Sequence, residues 1–206
     1  MTLDPDELEA DAREQTGLRD FGDGYHREGL ERLVSSMNEE ADLTEEYIGW
    51  LHDPGVTRFL TTGQFPTTPE ALRAYLQRFE AGDDLAFAIV DTATDLHVGN
   101  VTLNHVHRVH RTADTGLMIG RKEFWGRGYA FEAWSLLIEH AFERLNLRKI
   151  VAGVLADNVA SHRVLLRLGF RQEGVLRADR FADGEYRDNV LLGMFRDEFH
   201  KFRKGM

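Results

Sequence analysis

The chain has no cysteine among its 206 residues, which excludes disulfides, a cysteine nucleophile, thiolate zinc sites and iron–sulfur clusters. It also lacks any apolar run near the roughly 20 residues that span a bilayer. The first 20 residues are acidic and carry neither the basic start nor the apolar stretch of a secretory signal, so a cytoplasmic protein is the expectation. Internal repeats and low-complexity tracts are missing as well. Basic charge is scarce: 35 acidic side chains stand against 25 basic ones, a net of -10, which argues against a general nucleic-acid binder. What remains, at 42% hydrophobic and 29% charged, has the composition of an ordinary globular domain with room for a sizeable core.

The acidity is unevenly placed. Residues 1–46 hold 15 acidic and 4 basic side chains, whereas residues 47–206 hold 20 and 21. The expected organisation is an acidic helical leader over 1–43, a nearly neutral body over 44–200 and a tail over 201–206. Helical spacing is expected over 4–16 and over 26–37, where Leu30, Leu33, Val34 and Met37 form a thin stripe. A helix carrying Tyr47, Trp50 and Leu51 should stop at Asp53-Pro54-Gly55. Thr68 and Pro69 predict the next helix start, as N-cap and first-turn proline, with Ala71, Leu72, Tyr75, Leu76 and Phe79 as its buried face.

From residue 85 onward the pattern turns to strands. Leu85–Val90 and Val98–Leu103 predict a hairpin, and Thr115–Ile119 a third strand. Ala130, Ala133, Trp134, Leu137, Ile138, Ala141 and Leu145 recur at helical spacing. A strand over 149–156, a helix over 158–168 and a last hairpin turning at Asp183-Gly184 follow. The order predicts a single α+β (α/β) domain with one mixed, mostly antiparallel sheet and flanking helices.

Two stretches carry the chemistry. The first is Leu117-Met118-Ile119 followed by Trp125-Gly126-Arg127-Gly128-Tyr129-Ala130 and then a helix. A strand end, a glycine turn and a helix N-terminus make an anion cradle from backbone N–H groups, and Arg121, Lys122 and Arg127 add positive charge. No P-loop ending and no Gly-x-Gly-x-x-Gly fingerprint occurs. A tight connection without a ligand is an equal reading of this turn taken alone. The second stretch is Asn158, Ser161 and then Leu168-Gly169-Phe170, which read by itself is a capped helix with an incidental serine.

Together, over residues 44–196, the two stretches resemble the GCN5-related N-acetyltransferase (GNAT) family. The closest resemblance is to its branch of ribosomal-protein N-terminal and amino-sugar acetyltransferases. Trp-Gly-Arg-Gly-Tyr-Ala is similar to that branch's pyrophosphate turn, with Trp125 in place of the family's usual Gln or Arg. Asn158-x-x-Ser161 before Gly169-Phe170 is similar to its second signature. His110–Gly116 resembles its fourth strand and Leu51–Pro54 its first helix end.

The resemblance implies acetyl-CoA as co-substrate. Its binding residues would be Leu117, Met118 and Ile119 beside the acetyl and pantetheine part, Trp125, Gly126, Arg127, Gly128, Tyr129 and Ala130 at the pyrophosphate, and Asn158 and Ser161. Leu165 stands where many relatives carry a tyrosine acid, so the branch's serine, Ser161 here, would protonate the leaving thiolate. Asp114 would act as base through a water; pairing with Arg111 or Arg121 is the structural alternative. A lysine-like amine near pKa 10.4 needs roughly 4–5 kcal/mol to deprotonate at pH 7, against about 1 unit for an amine near 8. The lack of a strong base therefore favours a lower-pKa amine on a small molecule, such as an amino sugar or sugar nucleotide. A protein N-terminus and a non-catalytic acetyl-CoA-binding adaptor are the alternatives.

His105 and His107 would share one face of a strand near the acceptor. No third ligand is spaced to join them, so no metal is expected. Tyr186 and Asp188 in the last hairpin resemble an acceptor-lining pattern of the branch, or pair across strands. Residues 13–33 resemble the helical leader of some bacterial sulfotransferase-like proteins, without the phosphate loop that would imply sulfotransfer. A homodimer, and a protein partner for the leader, stay open.

Overall fold

The computed structural model describes residues 43–204, so the helices expected over 4–16 and 26–37 lie outside the described residues. Helix α1 (Glu45–His52) begins at Thr44, whose hydroxyl accepts from Tyr47 N–H at 3.1 Å, and Glu45 and Glu46 complement the helix dipole. It ends at Asp53, as expected. Asp53 then accepts from Gly55 N–H and caps the one-turn helix α2 (Pro54–Thr57). A 3-10 turn over Thr61–Gln64 leads to α3 (Pro69–Ala81), which starts with the predicted Thr68 cap and Pro69.

Strands β1 (Leu85–Asp91), β2 (Leu96–His107) and β3 (Thr112–Ile119) form an antiparallel meander. A 3-10 turn (Lys122–Phe124) leads to α4 (Tyr129–Glu143), then β4 (Lys149–Leu155), α5 (Val159–Arg167), β5 (Arg171–Ala182), β6 (Glu185–Phe195) and α6 (Arg196–Lys204). The sheet order is β1-β2-β3-β4-β6-β5, and β3–β4 is its parallel pair. A parallel pair needs a long crossover, which α4 supplies. Asp183 and Gly184 both have positive φ, the geometry of the expected type I′ turn.

The larger core lies between the sheet and α4, α5 and α6, with Ile138, Phe142, Ile150, Leu165 and Met194 fully buried. The other face carries α1 and α3 through Tyr47, Trp50, Leu51, Leu72 and Leu76, packed on Ala86 and Ala88. Two expected core positions belong elsewhere. Ala71 and Tyr75 are exposed and line a cavity beside α3, whereas Leu72 and Leu76 fill the core. Leu145, the last residue of the expected α4 stripe, falls past the helix end and is 37% exposed.

A candidate acetyl-transfer cleft

Strand pairing sets the site. β3 pairs with β2 as far as Ile119, but with β4 only at Thr112, Ala113 and Asp114. Beyond the Asp114–Val151 pair the two strands part, so the β4-side edge of residues 115–119 has no strand partner. Leu117, Met118 and Ile119 lie on this opened edge. The gap is the place where a chain-like ligand can add its own amides to the sheet.

At the open end of β3 the chain turns through Trp125–Gly128 into α4. Gly126 and Gly128 have φ of +71° and +94°, and a Cβ at either would meet nothing within 4 Å. Open space is thus kept over a helix N-terminus whose first N–H groups have no intrahelical acceptor. Gly128 is itself the N-cap of α4, with no capping side chain. These features fit a pyrophosphate held by backbone groups.

The side chains around this turn do other work. Trp125 closes the turn onto β3, its Nε1–H donating to Ile119 C=O at 2.9 Å. The Tyr129 hydroxyl donates to Asp91 Oδ1 at 2.5 Å, tying α4 to the β1–β2 turn. Burial and the Asp91 carboxylate push the Tyr129 hydroxyl up to about 12. The expected ring of three cations is reduced. Arg121 pairs with Glu46 and donates to His97 C=O, and Lys122 pairs with Asp53, because α1 brings its carboxylates to this edge. Arg127 lies over the Phe124 ring, 5.5 Å from its centroid.

Asn158 caps α5, its Oδ1 accepting from Ser161 N–H at 3.2 Å. Ser161 is half-buried in the first turn of that helix, just beyond the end of β4. Leu165 is fully buried, so the acid position of many relatives is part of the core here. Asp114 pairs with neither Arg111 nor Arg121; its carboxylate lies 3.1 and 3.2 Å from His105 Nδ1. The pairing breaks between Asn104 and His107, and His105 takes a positive φ there and turns to Asp114. His107 instead stacks on His110 at 4.1 Å. Tyr186 is 71% exposed against the Phe181 ring, and Asp188 accepts from Ala178 N–H. Among the described residues, no three His, Asp or Glu side chains stand together as a metal site.

Opposite the α4 side, a cleft of about 790 Å³ runs between the loop after α2 and the β5–β6 hairpin, floored by Gly153 and Leu155 of β4. The motifs did not reveal it. β5 breaks its pairing between Leu176 and Arg180, with Ala178 at positive φ, and Asp179 lines the cleft from this bulge. Asn189 donates from Nδ2 to Asp179 Oδ2 at 3.0 Å. Its amide lies over Gly153, where a Cβ would come within 3.0 Å of it. Arg180 pairs with Asp179 at 3.0 Å, while Arg58 and Arg187 share Asp157 and Asp183. Three carboxylates therefore meet three guanidiniums. Gln64 Nε2–H donates to Phe181 C=O at 2.5 Å, strapping the loop across the cleft.

The opened strand pair, the glycine turn and the capped second helix form in the order expected of an acyl-CoA-dependent transferase. The acetyltransferase (GNAT) domain model matches residues 32–171, and the chain belongs to that family. The uncharacterized N-acetyltransferase YoaA of Bacillus subtilis is 38% identical over 164 residues, covering 78% of this chain and 92% of its own. The uncharacterized N-acetyltransferase p20 of Bacillus licheniformis is 32% identical over 165 residues, covering 78% and 90%. Among solved structures, spermidine N-acetyltransferase from Vibrio cholerae in complex with CoA and spermine aligns with a TM-score of 0.73. It shares 20% identity and covers 80% of this chain and 95% of its own, a likeness of fold. The protein is an N-acetyltransferase, and acetyl-CoA is its co-substrate.

Proposed function

We propose that the acetyl acceptor is a primary amine on a small polar molecule, with amino sugars and their nucleotides as the leading class. The observation that carries this reading is the charge balance of the cleft beside the opened strands. A polyamine calls for unpaired carboxylates, and here the carboxylates that line the cleft, Asp179 and Asp183, each face an arginine. A molecule with hydroxyls or anionic groups around one amine matches the alternating charges better.

Acetyl-CoA supplies the acyl group and a thiolate leaving group. In the proposed chemistry the acceptor nitrogen forms a bond to the acyl carbon as the carbon–sulfur bond breaks. Ser161 gives its proton to the departing sulfur. Asp114, with His105 on its carboxylate, takes the amine proton through water. Leu117, Met118 and Ile119 align the acyl arm with backbone groups, and Gly126, Gly128 and Ala130 hold the pyrophosphate. Asn158 keeps the first turn of α5, and so Ser161, in place. A low-pKa amine suits so exposed a base.

Thiol release from acetyl-CoA tests the reading across glucosamine, amino-sugar nucleotides, peptide N-termini, spermidine and aminoglycosides. We expect the highest kcat/KM for an amino sugar or its nucleotide. A preference for spermidine or for peptides would overturn it. Acetyl-CoA binding with no turnover of any amine would favour an adaptor.

A further inference from the structure

The end of the sheet remote from the cleft gathers arginines. Arg111 immediately precedes β3, Arg148 immediately precedes β4 and Arg196 immediately follows β6, and these three strands are neighbours. The backbone fixes the three residues side by side. Arg148 N–H donates to Arg111 C=O at 2.6 Å, and Arg196 N–H donates to Arg148 C=O at 3.1 Å. With Asp197 and His200 of α6 they line a hollow of about 330 Å³. Gly153, in the floor of the acceptor cleft, lies five residues beyond Arg148, about 16 Å further along the strand.

Charge is balanced differently at the two ends. Beside the cleft, Arg58, Arg180 and Arg187 meet three aspartates. In the hollow, among the described residues, Glu143 alone pairs with an arginine; it reaches Arg196 at 3.4 Å and is shared with His200 at 3.3 Å. Arg196 and Arg111 also donate to Asn146 Oδ1, at 3.0 and 3.5 Å. The Arg148 guanidinium lies over the Phe195 ring, 5.4 Å from its centroid, with no carboxylate beside it. Asp197 pairs with Lys201, at 3.7 Å. Like charges held in one hollow repel. Arg196 adds a second cost, because it opens α6, where a cation meets the positive end of the helix dipole. Arg111 adds a third, a left-handed backbone at φ +54°. Unfavourable features gathered on one small surface point to a ligand that offsets them.

We propose that this hollow binds a phosphate group of a small soluble anion. Guanidinium forks from three separate segments match the several oxygens of a tetrahedral phosphate, whereas a carboxylate offers only two. The site needs neither the acceptor class nor the transfer chemistry proposed above.

Inorganic pyrophosphate tests the hollow by calorimetry on the full chain, with CoA saturating so that the glycine turn is already filled. The wild-type chain should bind pyrophosphate about tenfold or more tighter than acetate at equal ionic strength. Arg148→Gln changes an exposed side chain that makes no hydrogen bond among the described residues, and it should weaken pyrophosphate about tenfold or more. Arg177→Gln removes an exposed guanidinium of β5 outside the hollow and should change binding by less than about twofold. The unfolding temperature should rise with pyrophosphate in the wild-type chain and stay fixed in Arg148→Gln. No pyrophosphate binding beside CoA, undiminished binding by Arg148→Gln, or an equal loss in Arg177→Gln would overturn the proposal.

Discussion

The two sides of the opened strands are built from different material. The α4 side is mostly backbone: an unpaired strand edge, two glycines at positive φ and a helix start, all within residues 115–130. The α1–α3 side is side chain, assembled from Arg58, Gln64, Asp179 and Asn189, which come from separated segments. A backbone site serves a ligand part that does not vary, such as a pyrophosphate. A side-chain site can be rewritten for each acceptor without touching the chemistry.

If that division is real, substitutions on the two sides should separate in their kinetics. The largest effect is expected for Ser161→Ala, which removes the proposed proton donor. Its kcat should fall about 100-fold or more, the scale of general acid catalysis, while acetyl-CoA affinity by calorimetry stays nearly unchanged. Unchanged kcat would remove Ser161 from the chemistry. Next comes Gly128→Val. No atom lies within 4 Å of the new Cβ, so the cost is backbone strain at φ +94° and not collision. Strain of about 1–3 kcal/mol predicts acetyl-CoA binding weaker by roughly ten-fold or more, with the acceptor KM little altered. Asp179→Asn should do the converse. It keeps the shape and removes the charge that Asn189 and Arg180 surround, so the acceptor KM should rise several-fold and acetyl-CoA affinity should hold. If Asp179→Asn weakened acetyl-CoA instead, the division between the sides would fail.

Local sequence carried the individual elements well. Thr68-Pro69, Asp183-Gly184 and the apolar stripe of α4 each depend on neighbours within a few residues, and each element forms where expected. The glycine turn is legible for the same reason. The acceptor half depends on where distant segments meet. Nothing local marks Asp179, which reaches the cleft because β5 breaks register at Ala178. Helical spacing likewise cannot tell a face against a core from a face against a cavity, which is why Ala71 and Tyr75 looked buried. Arg121 and Lys122 looked free to hold phosphate because Glu46 and Asp53 lie 75 and 69 residues away in the chain.

The smallest effect is expected at the tie between the halves' shared frame and the α4 turn. Thr94 first, and then the Tyr129 hydroxyl, hold the Asp91 carboxyl below its ordinary 3.8. A carboxylate with a depressed folded pKa adds stability at pH above the unfolded value, and that stability is lost as pH falls through the folded one. Asp91→Asn should therefore be less stable than wild type near pH 7, by thermal unfolding. The two curves should converge only as pH falls below the ordinary 3.8 and through the depressed folded value, where the wild-type carboxylate protonates. Because Tyr129 opens α4 beside the glycine turn, the neutral-pH deficit should be accompanied by weaker acetyl-CoA binding and an unchanged acceptor KM. A variant whose acceptor KM moved while acetyl-CoA binding stayed fixed would place Asp91 on the wrong side of the division.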